Sequence, residues 1–495
     1  MKIAMVTEGT YPYSFGGVSV WCDQLIRGMP GCDFSLMAIV ATGAERMVWS
    51  LPDNVTAVNK VPLWGAPPAG PTMRYRNAVP DYLLREFIDS LLDTSTEAQS
   101  RFADLLRELF EFSKHGNLSA ALGSDKAIRL LSEAWRERPP GPRETAPTLH
   151  DAISAMQLLD HSLRPSCHPL PQADLAHAVT NGLAVLPALA AKWRYGTPMI
   201  VTEHGVYLRE QYLQNRTSPY RWPVKAFHLS FMRRLCALGY SEAAAITPGN
   251  VYNRRWEEHL GAEPARIRTV YNGVDPADFP ALSGEPDLPT ISWVGRIDPI
   301  KDLETLVRAF SLVVQEMPTA RLRLFGSPPK GREHYLERCQ ALTADLGIAG
   351  SVTFEGRVEN IRDAYDAGQI VALSSVSEGF PYSLIEAMIC GRPCVATDVG
   401  GVTEAVGDTG LVVPPRSPKR MARACLTLLQ NHDLRRQLGA AARTRALNNF
   451  TVDGAISAFG EIYGLVGAAL PRPTAPIRVT IEDPSGILLP RKAAE

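Results

Sequence analysis

An α/β fold of two facing Rossmann-like domains, with a helical insertion in the N-terminal one, is what the sequence predicts, on three observations. Short apolar runs alternate with helix-length segments through both halves of the chain, the pattern of parallel strands joined by crossover helices. The alternation breaks at a polar stretch, Pro276 to Pro289, and restarts beyond it. Between the early and late runs of the first half, a long segment carries leucine at helical spacing and no strand signal.

Taken in order, Ile3 to Val6 is a short apolar run, followed by a glycine-containing loop from Glu8 to Gly17 and a helical pattern from Val18 to Met29. The chain therefore opens strand, glycine loop, helix. Further strands of the first domain are predicted at Phe34–Val40, Leu175–Val179, Met199–Thr202, Ala243–Thr247 and Ile267–Tyr271. The insertion is placed at about 80–137, on leucines such as Leu83, Leu84, Leu105, Leu106 and Leu109, between Pro/Gly-rich connections at Val61–Pro71 and Arg138–Pro147. In the second half, strands are predicted at Ile291–Val294, Arg321–Phe325, Val352–Phe354, Ile370–Leu373, Cys394–Thr397 and Leu411–Val413. The predicted division is an N-terminal domain over 1–284, a C-terminal domain over 285–470, and a mobile tail over 471–495 that opens Pro-Arg-Pro-Thr-Ala-Pro. The length of 495 residues suits two or three domains of about 150 residues.

Against 52 Asp plus Glu stand 51 Lys plus Arg, a formal net charge of -1, which argues against a dedicated nucleic-acid binder or an anchor to acidic membranes. A hydrophobic fraction of 45% and a charged fraction of 21% are those of a folded globular chain. Eight cysteines form no repeated ladder, so reduced thiols in a cytosol are expected. The close pair Cys390 and Cys394 has no second pair nearby, as a zinc site would need, and reads as two helix-end thiols. The apolar run at the N-terminus spans only four residues before an acid, too short for a signal peptide. A cytoplasmic location is the expectation, with room for peripheral docking on a membrane complex.

Chemistry concentrates after the predicted strand Ile370–Leu373, in Ser-Glu-Gly-Phe-Pro-Tyr-Ser-Leu-Ile-Glu-Ala-Met, residues 377–388. Glycine and proline end the loop and a helix is predicted to start near Tyr382, where free backbone N–H groups can hold a phosphate. Glu378 in the loop can accept hydrogen bonds from hydroxyls. Glu386, one turn inside the helix among Leu384, Ile385 and Ala387, needs partners if buried, and vicinal ribose hydroxyls would supply two donors. The spacing alone fits two solvent-facing helix acids equally well. Upstream, Gly295-Arg-Ile-Asp-Pro-Ile-Lys301 places Arg296 and Lys301 after the strand Ile291–Val294, at the carboxyl end of the sheet where α/β folds bind ligands. Two cations there suit a diphosphate. No Asp-x-Asp triplet occurs, so no metal site is assigned, and fixed cations with a helix N-terminus would replace a metal.

Gly-Arg with Lys five residues after the arginine, the Glu-x7-Glu pair, and Val-Tyr-Asn-Gly-Val-Asp at 270–275 together resemble the family 4 retaining glycosyltransferases of the two-domain GT-B fold. Glu8-Gly-Thr-Tyr-Pro-Tyr-Ser-Phe-Gly-Gly-Val-Ser-Val-Trp21 and Thr202-Glu-His-Gly-Val-Tyr-Leu-Arg-Glu210 are similar to the PelF-type branch, whose relatives build exopolysaccharide from UDP-glucose. The resemblance covers about residues 1–465.

The resemblance implies that Gly16 and Gly17 let the first loop approach the donor, although paired glycines alone are more often just a turn. Glu378 would bind the donor sugar, assisted by Gly379, Phe380 and the residues that follow, Pro381, Tyr382, Ser383 and Leu384. Glu386 would hold the ribose, Arg296 and Lys301 the diphosphate, and the loop Gly356-Arg-Val358-Glu-Asn360 the base. His204 would face the cleft and contact the donor sugar, acting with Glu378, Arg296 and Lys301; a lone histidine without that context is a structural hydrogen-bonder. His177, Glu203, Arg209 and Glu210 are secondary candidates. The implied activity is transfer of a hexose, glucose from UDP-glucose, to a polysaccharide or other glycosyl acceptor, independent of metal and with no further cofactor, in exopolysaccharide biosynthesis. Alternatives are a GT-B phosphorylase or epimerase and a non-catalytic nucleotide-sugar-binding subunit of an export complex. A nicotinamide-dependent oxidoreductase is disfavoured because neither half shows Gly-x-Gly-x-x-Gly after a strand.

Overall fold

The computed structural model of the chain describes residues 1–65, 79–138, 145–282 and 284–468; the predicted tail, 471–495, and parts of the two Pro/Gly-rich connections lie outside the described residues. Twelve strands form two parallel sheets of six. The first comprises β1 (Lys2–Glu8), β2 (Asp33–Val40), β3 (Val55–Pro62), β4 (Leu175–Ala178), β5 (Met199–Glu203) and β6 (Ala245–Pro248), in the order β3-β2-β1-β4-β5-β6. The second comprises β7 (Thr290–Val294), β8 (Arg321–Phe325), β9 (Val352–Gly356), β10 (Ile370–Leu373), β11 (Cys394–Thr397) and β12 (Leu411–Val413), in the order β12-β11-β10-β7-β8-β9. Each sheet begins at its centre and builds outward to both sides, which creates a crevice at the strand ends between β1 and β4 and another between β7 and β10. The chain has the two Rossmann-like domains of the GT-B fold.

Most predicted strands are present because their apolar residues are buried on both faces, as in β5 and β11, where every residue is buried. Two expectations need correction. Val55–Pro62, whose end the sequence places in a connection, is the edge strand β3, paired in parallel with β2; five of its eight residues are polar or small and only one is buried, so it carries no apolar run to read. Ile267–Tyr271, expected as a strand, makes one isolated bridge to Ile246. Arg268 donates to the Ile246 carbonyl and Val270 to that of Pro248, after which the segment leaves the sheet edge to enter the second domain.

The helical insertion is present as Asp81–Leu92, Glu97–Ser113, Leu118–Leu122 and Asp125–Glu137. Its leucines join Phe87, Phe102 and Trp135 in one core with the helices Leu149–Leu163 and Trp222–Glu242, so the insertion is an extension of the first domain's core. No helix among the described residues is long and apolar enough to cross a membrane.

The last helix, Val452–Ala468, follows the second domain in sequence but packs on the first. Phe459, Ile462, Tyr463 and Val466 share a core with Trp21, Leu25 and β1. His177 on β4 fixes it, with one ring nitrogen 2.6 Å from the Tyr463 hydroxyl and the other 2.7 Å from the Thr202 hydroxyl. The chain thus crosses between domains twice, and the crossings touch. Val274 N donates to Phe450 O and Val452 N to Val274 O, while a Cβ at Gly273 would lie 2.4 Å from the Thr451 carbonyl oxygen. That close approach is why a glycine stands in the Val-Tyr-Asn-Gly-Val-Asp segment.

Candidate active site

The loops after β7 and β10 meet at the crevice of the second sheet. Val376 N donates to Ile300 O at 2.9 Å and Ser374 Oγ to Lys301 O at 2.8 Å. This brings together two residues that are 77 positions apart: Lys301 Nζ lies 2.6 Å from Glu378 Oε1, with side chains 18% and 9% exposed. Ser375 Oγ donates to the same carboxylate oxygen. Beyond Lys301, Asp302 takes a left-handed conformation at φ 47° and caps the helix Leu303–Glu316 through Thr305 N. Arg296, in the same loop, is exposed and forms no ion pair among the described residues.

The helix after the second loop runs from Tyr382 to Ile389, as the sequence predicts. Glu386 accepts a hydrogen bond from the Tyr365 hydroxyl on Oε2. Burial pushes its carboxyl above the ordinary range, and the tyrosine bond partly offsets the shift. The sequence does not point to Tyr365, since it stands 21 positions upstream of Glu386 on another helix. Leu384 turns its side chain into the core of the second domain, and its amide reaches Pro381 O. Phe380 is buried, stacked on Tyr271 at 5.0 Å between ring centroids. Pro381 is buried beside it and Val358 is half-buried against the same core. Within this group, the surfaces of Tyr382 and Ser383 are only partly covered.

The first domain closes over these loops at several points. A Cβ at Gly379 would lie 2.0 Å from the His204 carbonyl oxygen, so only glycine permits this approach. Asn250 Nδ2 donates to Gly379 O at 3.2 Å, Asn272 Nδ2 to Phe380 O at 3.1 Å, and Arg209 Nη1 to Ser377 Oγ at 2.9 Å. A Cβ at Gly17 would lie 3.4 Å from the Tyr382 ring. Gly16 precedes it as the cap of the helix Gly17–Arg27. Phe15 of the same loop lies under the Arg357 guanidinium at 5.8 Å, which brings the first glycine loop to the loop after β9. Asn272 lies in the Val-Tyr-Asn-Gly-Val-Asp segment that the sequence singles out, without a role assigned to it there, whereas Asn250 carries no signal beyond its position after β6.

His204 follows β5 at the cleft. Its ring packs edge-on to Trp21 at 4.7 Å, its Nε2 has no partner among the described residues, and burial lowers its pKa to about 4. It is therefore a neutral imidazole at neutral pH with one free nitrogen. His177 differs, since both of its nitrogens are engaged inside the core. Behind His204, Glu203 accepts from the Tyr240 hydroxyl at 2.7 Å. Glu257 is fully buried with both carboxylate oxygens unpartnered among the described residues. Burial raises the pKa of both acids, and the nearby Glu203 charge raises that of Glu257 further. Glu210 is also raised by burial. Cys390 and Cys394 are free and buried, with thiols pushed up to about 11 and about 12 by desolvation. The arrangement offers cations to a polyanion at the crevice, carboxylates to hydroxyls beside them, and a neutral histidine on the opposite wall.

Residues 1–265 match the family described as Domain of unknown function (DUF3492), and residues 288–431 match Glycosyl transferases group 1. Among curated relatives, the chain is 35% identical over 228 residues to the D-inositol 3-phosphate glycosyltransferase of Acidothermus cellulolyticus, covering 42% of this chain and 51% of that protein. It is 36% identical over 214 residues to that of Mycobacteroides abscessus, covering 40% and 47%. The chain thus spans about half the length of these relatives. Among solved structures, sucrose-phosphate synthase from Thermosynechococcus elongatus aligns over 95% of this chain and 100% of its own, with TM-score 0.61 and 18% identity. Anabaena HepE in complex with UDP aligns over 94% and 100%, with TM-score 0.61 and 15% identity. At these identities the structures show the shared fold. The chain belongs to the DUF3492 family, whose model covers its first domain, and joins that domain, in a GT-B fold, to a second that matches Glycosyl transferases group 1.

Proposed function

We propose that this protein is a retaining glycosyltransferase of family 4, of the PelF-type branch, that moves glucose from UDP-glucose to a glycan acceptor in exopolysaccharide biosynthesis. The observation that carries the reading is the Lys301–Glu378 pair, held at the crevice between β7 and β10 one residue from the contact of Gly379 with His204. In this reading Arg296 and Lys301 stabilise the charge that develops on the departing diphosphate, without a metal. Glu378 holds sugar hydroxyls once the lysine turns to phosphate. Glu386 keeps one oxygen for the ribose while Tyr365 holds the other. Neutral His204, on the opposite wall, contacts the transferred sugar. Retention follows from attack on the face the diphosphate leaves, with the leaving phosphate taking the acceptor proton, so no covalent nucleophile is assigned. Closure of the two domains excludes water, and with it hydrolysis. The relatives named D-inositol 3-phosphate glycosyltransferases and the HepE complex with UDP-glucose support a nucleotide-sugar donor. The protein acts in the cytoplasm, docked peripherally on a membrane complex.

The test is calorimetric binding of UDP, GDP and ADP and their glucose conjugates in the presence of a chelator, to the wild type and to Arg296→Ala. Selective binding of UDP and UDP-glucose, weakened in the variant, is expected. No binding of any nucleotide overturns the reading, and binding that appears only on adding a divalent cation overturns its metal-independence.

A further inference from the structure

Three cavities open along one side of the helix Trp222–Glu242. The first, about 410 Å³, lies between the insertion and the start of that helix and is bordered by Trp135, Trp222 and Ser230. The second, about 280 Å³, shares Thr94 and Ser230 with the first. The third, about 410 Å³, shares Arg233, His259 and Leu260 with the second and ends at Val206 and Arg209. Each cavity thus adjoins the next through shared lining residues. The helix contributes Trp222, Ala226, Ser230, Arg233 and Ala237 to the lining, a spacing of three and four that marks a single helical face. From Trp222 to Ala237 that face runs about 22 Å at 1.5 Å per residue. The third cavity meets this face at Arg233 and reaches the active site on its other side, because Arg209 in its lining donates to Ser377, next to Glu378.

The lining has the chemistry of a carbohydrate surface. Trp222, Tyr212 and Trp256 are 51%, 48% and 36% exposed, so flat aromatic faces are available along the track for the apolar faces of sugar rings. Arg234, 7% exposed, lines the middle cavity and has an Nε without a partner among the described residues. Arg209 and Arg233 form no ion pair among the described residues, whereas the one acid in the lining, Asp93, is already paired with Arg101.

We propose that an extended glycan chain lies along this face of the helix and delivers its end to the cleft past Arg209, and that acidic substituents on the glycan are favoured over basic ones. The proposal rests on the glycosyltransferase reading and adds the path of the acceptor. It makes the helical insertion one wall of an acceptor track.

The experiment measures binding of oligogalacturonate, malto-oligosaccharide and chitosan oligosaccharide to the wild type, Trp222→Ala and Arg233→Glu, with stabilisation by UDP recorded on the same samples. The wild type is expected to bind the acidic chain most tightly and the basic chain least. Trp222→Ala is expected to weaken the acidic and neutral chains about tenfold, as removal of one aromatic platform beneath a sugar ring would. Arg233→Glu is expected to reverse the order of acidic and basic chains, and UDP is expected to stabilise all three proteins equally. Glycan binding unaffected by either variant overturns the track, and chitosan bound as tightly as oligogalacturonate by the wild type overturns the charge preference. Failure of UDP to stabilise the wild type counts against the donor reading alone.

Discussion

Lys301 and Glu378 satisfy each other, so a ligand that takes either one must replace a short, largely buried ion pair. Removing the lysine leaves the carboxylate without its cation, and removing the carboxylate frees the lysine. Glu378→Gln and Lys301→Ala are each expected to lower transfer about 10²–10³-fold, measured as product formed at saturating donor; near-wild-type turnover in either variant rules out the assigned role. At Glu257 the expectation concerns stability. Its carboxyl pKa is raised in the folded protein by burial, then by Glu203, to about 9, so between the unfolded value and the raised one the folded state binds more protons. Stability therefore falls as pH climbs above the ordinary carboxyl range. Glu257→Gln is expected to flatten that fall between about pH 5 and about pH 9, seen as a smaller change in urea midpoint across the range. A slope identical to the wild type's places the titration elsewhere. At this scale the motifs are readable because Arg296, Lys301, Glu378 and Glu386 lie in two short segments. Tyr365 and the Glu203–Glu257 pair are not, since only folding brings them near.

Among the elements, the central strands are legible from their apolar runs, because parallel strands are buried on both faces. The edge strand β3 has one buried neighbour and polar residues on both sides, so periodicity says nothing of it. For the last helix, no local pattern indicates which domain it joins; that is decided by His177 and Trp21, far away in sequence. Tyr463→Phe keeps the packing and removes the hydroxyl from His177. The change is expected to cost about 1–3 kcal/mol, read from denaturant unfolding, with specific activity per folded molecule retained. A variant as stable as the wild type shows that the hydrogen bond does not hold the helix.

For the whole molecule, the domains meet where residues of both walls would share a donor. Gly379→Ala places a methyl group against the His204 carbonyl and so holds the domains apart without altering any charged group. Small-angle scattering is expected to show a larger radius of gyration, and transfer to fall more than UDP affinity. An unchanged radius together with unchanged transfer means that this contact does not limit closure. The sequence indicates two domains and a cleft but not this approach, because a glycine beside Glu378 reads equally as a turn.

The helix Val452–Ala468 has a consequence for how the protein is made. Of the two domains described, the N-terminal one emerges first from a ribosome, yet it lacks Phe459, Ile462 and Tyr463 of its core until almost all of the described chain has emerged. The second domain has its full set of strands by Val413 and its core by Phe450, before that helix has emerged. Of the two, the domain that emerges first is thus completed last, and a chain cut between the second sheet and Val452 leaves a first domain with an open apolar face, a substrate for chaperones and proteases.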